Sequence, residues 1–278
     1  MKLKIEIAKE SGFCHGVNRA VEIAKKVARK YGKVFMLGDI VHNEHVVKEL
    51  ESLGVRAVSS IEEIDKEFPV LLRSHGTPSQ IVKRLKERKL KVIDATCPLV
   101  VNIHNKAMEI LREGRVLIIV GDKGHEEVEA IKSFDGKSIV ISGEEDIEAV
   151  RSVKKAGIVV QSTQSVEYVS KIVGLLAARI DDLRFVNTIC RPTRNRQTQV
   201  KELAASKDVV LIVGSRGSAN TRRLFEIANK INKKTYLISS ADELEKGWFK
   251  GVKTVGISSG ASTPKFIIDE IVSKIEKI

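Results

Sequence analysis

The sequence predicts an α/β protein of three pseudo-threefold-related lobes, each with a small, mainly parallel sheet flanked by helices, around a central cavity. Three observations predict it. Short apolar runs alternate with amphipathic stretches along the 278 residues, the pattern of strands joined by right-handed helical crossovers. A set of four sequence marks recurs three times at a period of about ninety residues, the signature of internal repetition. Every mark able to do chemistry follows an apolar run, which places it at the carboxyl end of a strand, where open α/β sheets bind ligands.

The first mark is a cysteine. Cys14, Cys97 and Cys190 stand 83 and 93 residues apart, and the same steps separate Gly38, Gly121 and Gly214, each closing a strand-like run 24 residues after its cysteine. Four residues beyond these glycines come His42, His125 and Ser218, each at the head of a helical pattern. A third mark is the acidic segment Ser60-Ile-Glu-Glu, Gly143-Glu-Glu-Asp and Ser240-Ala-Asp-Glu. The fourth is Arg73-Ser-His-Gly-Thr-Pro, Gln161-Ser-Thr-Gln-Ser and Ser258-Ser-Gly-Ala-Ser-Thr-Pro. Each unit therefore reads strand, cysteine loop, helix, strand, His or Ser loop, helix, strand, acidic segment, strand, polar loop, helix. In the middle unit strands are expected at 91–94, 116–120, 138–141 and 158–161, with helices at 100–112, 127–134 and 167–179. Gly12, Gly114 and Gly157 are read as punctuation. The expected lobes are residues 14–96, 97–190 and 191–278, and the strand within 1–13 is available to join an adjacent lobe.

Composition narrows the function classes. Hydrophobic residues at 42% and charged residues at 30% exclude wholesale disorder and a fibrous chain. The longest apolar runs span five residues, Val116 to Val120 and Val209 to Val213, far short of the ~20 a membrane-spanning helix needs. The start of the chain lacks an apolar signal core, so a cytoplasmic location is expected. The net charge of +12 invites anionic partners. Basic residues such as Lys25, Lys26, Arg29 and Lys30 mix with Glu on helical stretches, as on a solvated face. Aromatics make up only 4% of residues and do not interleave with basic ones, so no nucleic-acid surface is expected. Three cysteines without a CxxC pair do not form a disulfide framework.

Three thiolates brought together from equivalent loops can bind zinc or an iron–sulfur cluster. Structural zinc takes four ligands and favours closely spaced pairs, which are missing. A cubane cluster on three cysteines keeps one iron without a protein ligand, a Lewis acid for a substrate oxygen beside a source of single electrons. Such a site suits reduction at an alcohol. Around the cysteines stand His42, His75 and His125, with Ser218, Asn220 and Ser262 in the third unit. Imidazoles, hydroxyls and an amide can encircle a compact polyanion such as diphosphate, helped by helix amino ends. Neither GxGxxG after a strand nor GxxxxGK[ST] occurs, so dinucleotide and nucleoside triphosphate binding are not supported. Glu127, two residues past His125, would serve as proton source in a closed cavity, because burial raises a carboxyl pKa. Ser162 and Thr163 are candidates to relay that proton or bond a substrate hydroxyl.

These residues resemble the 4-hydroxy-3-methylbut-2-enyl diphosphate reductase family of the non-mevalonate isoprenoid pathway. The resemblance lies in Gly12-Phe-Cys-His-Gly-Val, Val41-His-Asn-Glu, Arg73-Ser-His-Gly, Asp94-Ala-Thr-Cys-Pro, Gly124-His-Glu-Glu-Val-Glu, Thr188-Ile-Cys with Asn195-Arg-Gln-Thr, Gly214-Ser-Arg-Gly-Ser-Ala-Asn-Thr and Ser259-Gly-Ala-Ser-Thr-Pro. It implies a trilobed α/β protein with one 4Fe-4S cluster on Cys14, Cys97 and Cys190. It also implies that His42, His75, His125, Ser218, Asn220 and Ser262 hold the substrate diphosphate while Glu127 delivers protons. Ala219 stands where the family often has a second serine. The family's threonine near the substrate hydroxyl aligns with Ser162 or, one residue on, with Thr163. The implied reaction removes the allylic hydroxyl as water and yields isopentenyl and dimethylallyl diphosphate. An acidic ferredoxin or flavodoxin is the implied electron donor. The nearest alternative is a quinolinate-synthase-like enzyme, also a three-cysteine iron–sulfur protein, but its substrate is not a diphosphate. A basic RNA-binding module would explain the charge but not the spaced cysteines. A hydrolase using Cys14 beside His15 fails because neighbouring side chains in an extended loop point apart.

Overall fold

The computed structural model describes residues 3–278. After a leading strand β1 (Lys4–Ile7), the first repeat runs α1 (His15–Tyr31), β2 (Val34–Leu37), α2 (Glu44–Ser52), β3 (Val55–Val58), β4 (Val70–Leu72), α3 (Ser79–Glu87) and β5 (Val92–Asp94). The second is α4 (Pro98–Arg112), β6 (Val116–Val120), α5 (Glu126–Lys132), β7 (Ile139–Ile141), β8 (Lys155–Val160), α6 (Val166–Ala177) and β9 (Asp182–Phe185). The third is α7 (Arg191–Ser206), β10 (Val209–Val213), α8 (Ala219–Ile231), β11 (Thr235–Ile238), β12 (Thr254–Ser259) and α9 (Lys265–Ile275). The acidic segments form 3-10 turns at Ile61–Glu63, Glu144–Val150 and Ala241–Glu243.

These strands build three four-stranded sheets, ordered β3-β2-β4-β5, β7-β6-β8-β9 and β1-β12-β10-β11. All pairings are parallel, as expected for strands joined by helices. The predicted fold class, small parallel sheets flanked by helices, is what the structure shows. The third sheet takes its fourth strand from the front of the chain: Lys4 to Ile7 pair with Thr254 to Ile257. In sheet order β1 therefore holds the place that β5 and β9 hold in the other two sheets, and like them it leads into a cysteine loop.

The central strands are buried on both faces, so their sequences read as continuous apolar runs. Alternation still sorts the side chains. In β6 Leu117 and Ile119 pack with Ile103, Ala107 and Ile110 of α4 and with Val128 and Ile131 of α5. Ile118 and Val120 instead meet Val169, Ile172 and Leu176 of α6. The third sheet repeats this, with Val210 and Ile212 on α7 and α8 and Leu211 and Val213 on α9. Each fully buried Leu or Ile contributes about 1.5–3 kcal/mol of transfer free energy.

One expectation is corrected. Gly157 does not punctuate a turn; it lies inside β8, paired with Leu117 and Arg184. A Cβ there would stand 2.5 Å from Cγ2 of Ile110, so the glycine lets α4 approach the sheet closely. Gly12 and Gly114 do sit between elements.

The chain divides into two compact units. One holds the chain up to Asn18, Val41–Lys48 and Arg191–Ile278, with the sheet containing β1; the other holds Arg19–Ile40 and Glu49–Cys190, with the remaining two sheets. Among the described residues no helix is long and apolar enough to cross a membrane.

Candidate active site

Every cysteine precedes a long helix. Cys97 is the N-cap residue of α4, with Pro98 in its first turn, and Cys14 and Cys190 directly precede α1 and α7. The three are held alike. The backbone N–H of Cys14 donates to the carbonyl of Ala261 at 3.1 Å, that of Cys97 to Ser74 at 2.9 Å, and that of Cys190 to Ser162 at 3.1 Å. Each bond ties a cysteine loop to the loop after β12, β4 or β8 of its own unit. The amino end of a helix favours negative charge, and the N–H of Val17 already donates to Sγ of Cys14 at 3.4 Å. All three are half-buried. Sulfur ligands at a metal are thiolates, and each of the three cysteines stands at such a helix amino end.

In the larger unit, Glu127 is the buried acid. It sits in the first turn of α5 at 1% exposure. Its Oε1 accepts from the Ser162 N–H at 2.6 Å and its Oε2 from the Ser162 hydroxyl at 2.7 Å. Burial nonetheless dominates and pushes the carboxyl above its ordinary value, while the two Ser162 bonds and nearby His75 pull it down. Because the Ser162 carbonyl accepts from Cys190, one residue links the acid to a cysteine. Thr163 has a different partner: its hydroxyl accepts from Nε2 of the buried Gln161 at 2.8 Å. Gln161 Oε1 in turn accepts from the Asp122 N–H at 2.7 Å.

Two histidines flank this acid. His125 is the N-cap residue of α5, its Nδ1 accepting from the Glu127 N–H at 3.2 Å. Its ring centroid lies 5.8 Å from that of His75, edge to face. Nδ1 of His75 is 3.3 Å from Oε2 of Glu126, and Oε1 of Glu126 pairs with Arg73. Arg73 follows β4 and fits beneath Gly38, where a Cβ would stand 2.8 Å from its Nη1.

The smaller unit carries the other candidates. The Ser262 hydroxyl donates to the His42 carbonyl at 3.1 Å, which fixes the two loops together. Ser218 caps α8, its oxygen accepting from the Thr221 N–H. Asn220 is buried in the first turn of the same helix, and its Nδ2 has no hydrogen-bond partner. A buried amide donor left unmade costs about 1–3 kcal/mol, so Nδ2 is suited to an acceptor from a ligand. The repeat aligned His42 with His125 and Ser218, yet in the first repeat the capping task falls to Asn43, whose Oδ1 accepts from His45 and Val46.

Comparison with known proteins decides the family. The LytB protein family model matches residues 5–276. The chain belongs to the LytB family. It is 43% identical over 99% of its length to a 4-hydroxy-3-methylbut-2-enyl diphosphate reductase of Aquifex aeolicus, covering 96% of that protein. It is 40% identical to the enzyme of the same name from Geotalea daltonii, over 99% and 98% of the two chains. Among solved structures it resembles (E)-4-hydroxy-3-methyl-but-2-enyl diphosphate reductase, the terminal enzyme of the non-mevalonate pathway, with TM-score 0.73 and 42% identity over 99% of this chain and 100% of that one. It also resembles the E-1-hydroxy-2-methyl-but-2-enyl-4-diphosphate reductase of Plasmodium falciparum, with TM-score 0.93 and 27% identity over 98% and 88% of the two chains.

Within this LytB chain the larger unit contains His75, His125, Glu127, Ser162, Thr163, Cys97 and Cys190. The smaller one holds Cys14, His42, Ser218, Asn220 and Ser262. Sequence reasoning passed over Arg73, Glu126 and Gln161. Their signal was present, since Arg73 and Gln161 open the fourth mark in successive repeats and Glu126 adjoins Glu127. What it lacked was any sign that Arg73 and Glu126, 53 residues apart, meet.

Proposed function

We propose that this LytB protein reduces 4-hydroxy-3-methylbut-2-enyl diphosphate to isopentenyl and dimethylallyl diphosphate. The observation that carries the reading is the buried Glu127, doubly bonded to Ser162, whose carbonyl receives the N–H of Cys190. A buried carboxyl that holds its proton above the ordinary range is a general acid for an alcohol leaving group. The named relatives give a substrate with such a group, and the family match leaves the quinolinate-synthase-like alternative without support.

Cys14, Cys97 and Cys190 would hold one 4Fe-4S cluster. When bound, it supplies electrons singly and an iron open to a substrate oxygen. The chain's own residues do the rest. Histidines 42, 75 and 125 with Ser218, Asn220 and Ser262 bind the diphosphate, Asn220 through its unpartnered Nδ2. Glu127 passes its proton through the Ser162 hydroxyl to the allylic oxygen, which leaves as water. A second proton and two electrons complete the balance, giving either isomer according to the carbon protonated. Ser162 rather than Thr163 takes the relay, because Ser162 bonds Glu127 while Thr163 bonds Gln161. An acidic ferredoxin or flavodoxin in the cytoplasm supplies the electrons, drawn by the charge of +12.

The test is an anaerobic assay of iron-loaded protein with the substrate and a reduced viologen. Release of the two C5 diphosphates is expected. Protein that contains iron and accepts electrons yet leaves the substrate intact would overturn the reading.

A further inference from the structure

Glu126 lies beside the proposed general acid, but its carboxylate serves other partners. One oxygen pairs with Arg73 and the other faces Nδ1 of His75 at 3.3 Å. The three side chains are 16–22% exposed, so they interact through a partly desolvated medium. A carboxylate oxygen is acceptor only, which makes Nδ1 of His75 the donor. His125 is set the opposite way. Its Nδ1 accepts a backbone N–H, so a ring in that pose carries its proton on Nε2 and donates from there while neutral. A neutral imidazole has one donor and an imidazolium two. With Nδ1–H given to Glu126, His75 can donate to a phosphate oxygen through Nε2 only as the cation.

We propose that Glu126 is a positioning residue of the diphosphate site: it takes Nδ1–H of His75 and holds that ring as a two-donor imidazolium, while Arg73 offsets the carboxylate charge. The charges favour this arrangement. Arg73 offsets the Glu126 carboxylate, which unaccompanied would repel a polyanion, and a protonated His75 adds positive charge toward it. The proposal rests on the diphosphate reading above. It adds that the two neighbouring histidines bind in different protonation states, His75 charged and His125 neutral.

The test uses full-length, anaerobically prepared protein with ¹⁵N-labelled histidine, and inorganic diphosphate as the probe. In the complex both ring nitrogens of His75 are expected to report as protonated, and His125 as protonated on Nε2 alone. Glu126→Ala should raise both KM and the inhibition constant for inorganic diphosphate about tenfold, as loss of a ligand-orienting partner does, with kcat within about twofold. Glu126→Gln keeps an acceptor for Nδ1–H without the charge and should fall between. A neutral His75 in the wild-type diphosphate complex overturns the proposal without requiring any variant to fold. So does Glu126→Ala with unchanged KM and ring shifts. If wild-type protein fails to bind inorganic diphosphate, the functional reading itself falls, whereas the Nδ1 proton of His75 in the free protein still reports on the contact with Glu126.

Discussion

Replacing Glu127 by Gln separates the acid's chemistry from its packing. The side chains are nearly isosteric. Gln can still accept from the Ser162 N–H through its oxygen and donate to the Ser162 hydroxyl, the two places where Glu127 now accepts at 2.6 and 2.7 Å. What disappears is the cost of a buried negative charge. The folded pKa of Glu127 is raised, chiefly by desolvation. A raised carboxyl stabilises the fold fully below its unfolded value and loses that contribution as pH climbs through the folded value. Each tenfold change in proton affinity corresponds to about 1.4 kcal/mol. Glu127→Gln should therefore match wild type near pH 4 and gain on it as pH rises, by about 3–5 °C in Tm for every such factor. The assay is anaerobic thermal unfolding of both proteins between pH 4 and 8, with turnover measured in parallel. Turnover should fall at least about 100-fold, the usual contribution of a general acid. A stability difference independent of pH, or wild-type turnover in the variant, would refute the assignment of Glu127 as a buried proton donor.

Other outcomes follow from the same geometry. Ser162→Ala removes a hydroxyl from a buried carboxyl and should depress kcat about 10–100-fold, whereas Thr163→Val should cost kcat less than threefold; the reverse order in steady-state kinetics would assign the relay to Thr163. Gly157→Ala forces a methyl against Ile110 and should destabilise by about 1–3 kcal/mol in urea unfolding, with full stability retained only if α4 is not closely packed. His104 lies beside Gly76 and against Phe134, and burial lowers its pKa. Its contribution is complete above the unfolded value of about 6.5 and is lost as pH falls through the lowered one, so His104→Phe should shrink the acid-side loss of stability seen by denaturant titration.

How much of this was legible in the sequence depends on whether a residue's meaning is local. The place of each cysteine ahead of a helix was legible because each repeat writes the same loop, and β6 and β10 were because they are all-apolar runs closed by Gly121 and Gly214. Gly157 was misread because a glycine in a strand and one in a turn look alike until Ile110 is seen above it. Ser162 and Thr163 could not be told apart, since adjacent hydroxyls at a strand end differ only in the direction they face. Structure separates them through Glu127 and Gln161. The alignment of His42 with His125 concealed a shift of one residue in the cap, visible only from Asn43. The Arg73–Glu126 pair joins two sheets of one unit, and nothing in either local sequence announces a partner so distant.

The central claim is that sulfur from Cys14, Cys97 and Cys190 serves one cluster. Iron and sulfide content with visible absorbance, measured anaerobically on wild type and on the three single Cys→Ser variants, tests it most directly. Wild type should carry about four irons per chain and absorb broadly near about 400 nm, the region of thiolate-to-iron charge transfer, and each variant should lose most of both. Any one variant that keeps wild-type iron and colour removes its cysteine from the ligand set and contradicts the account.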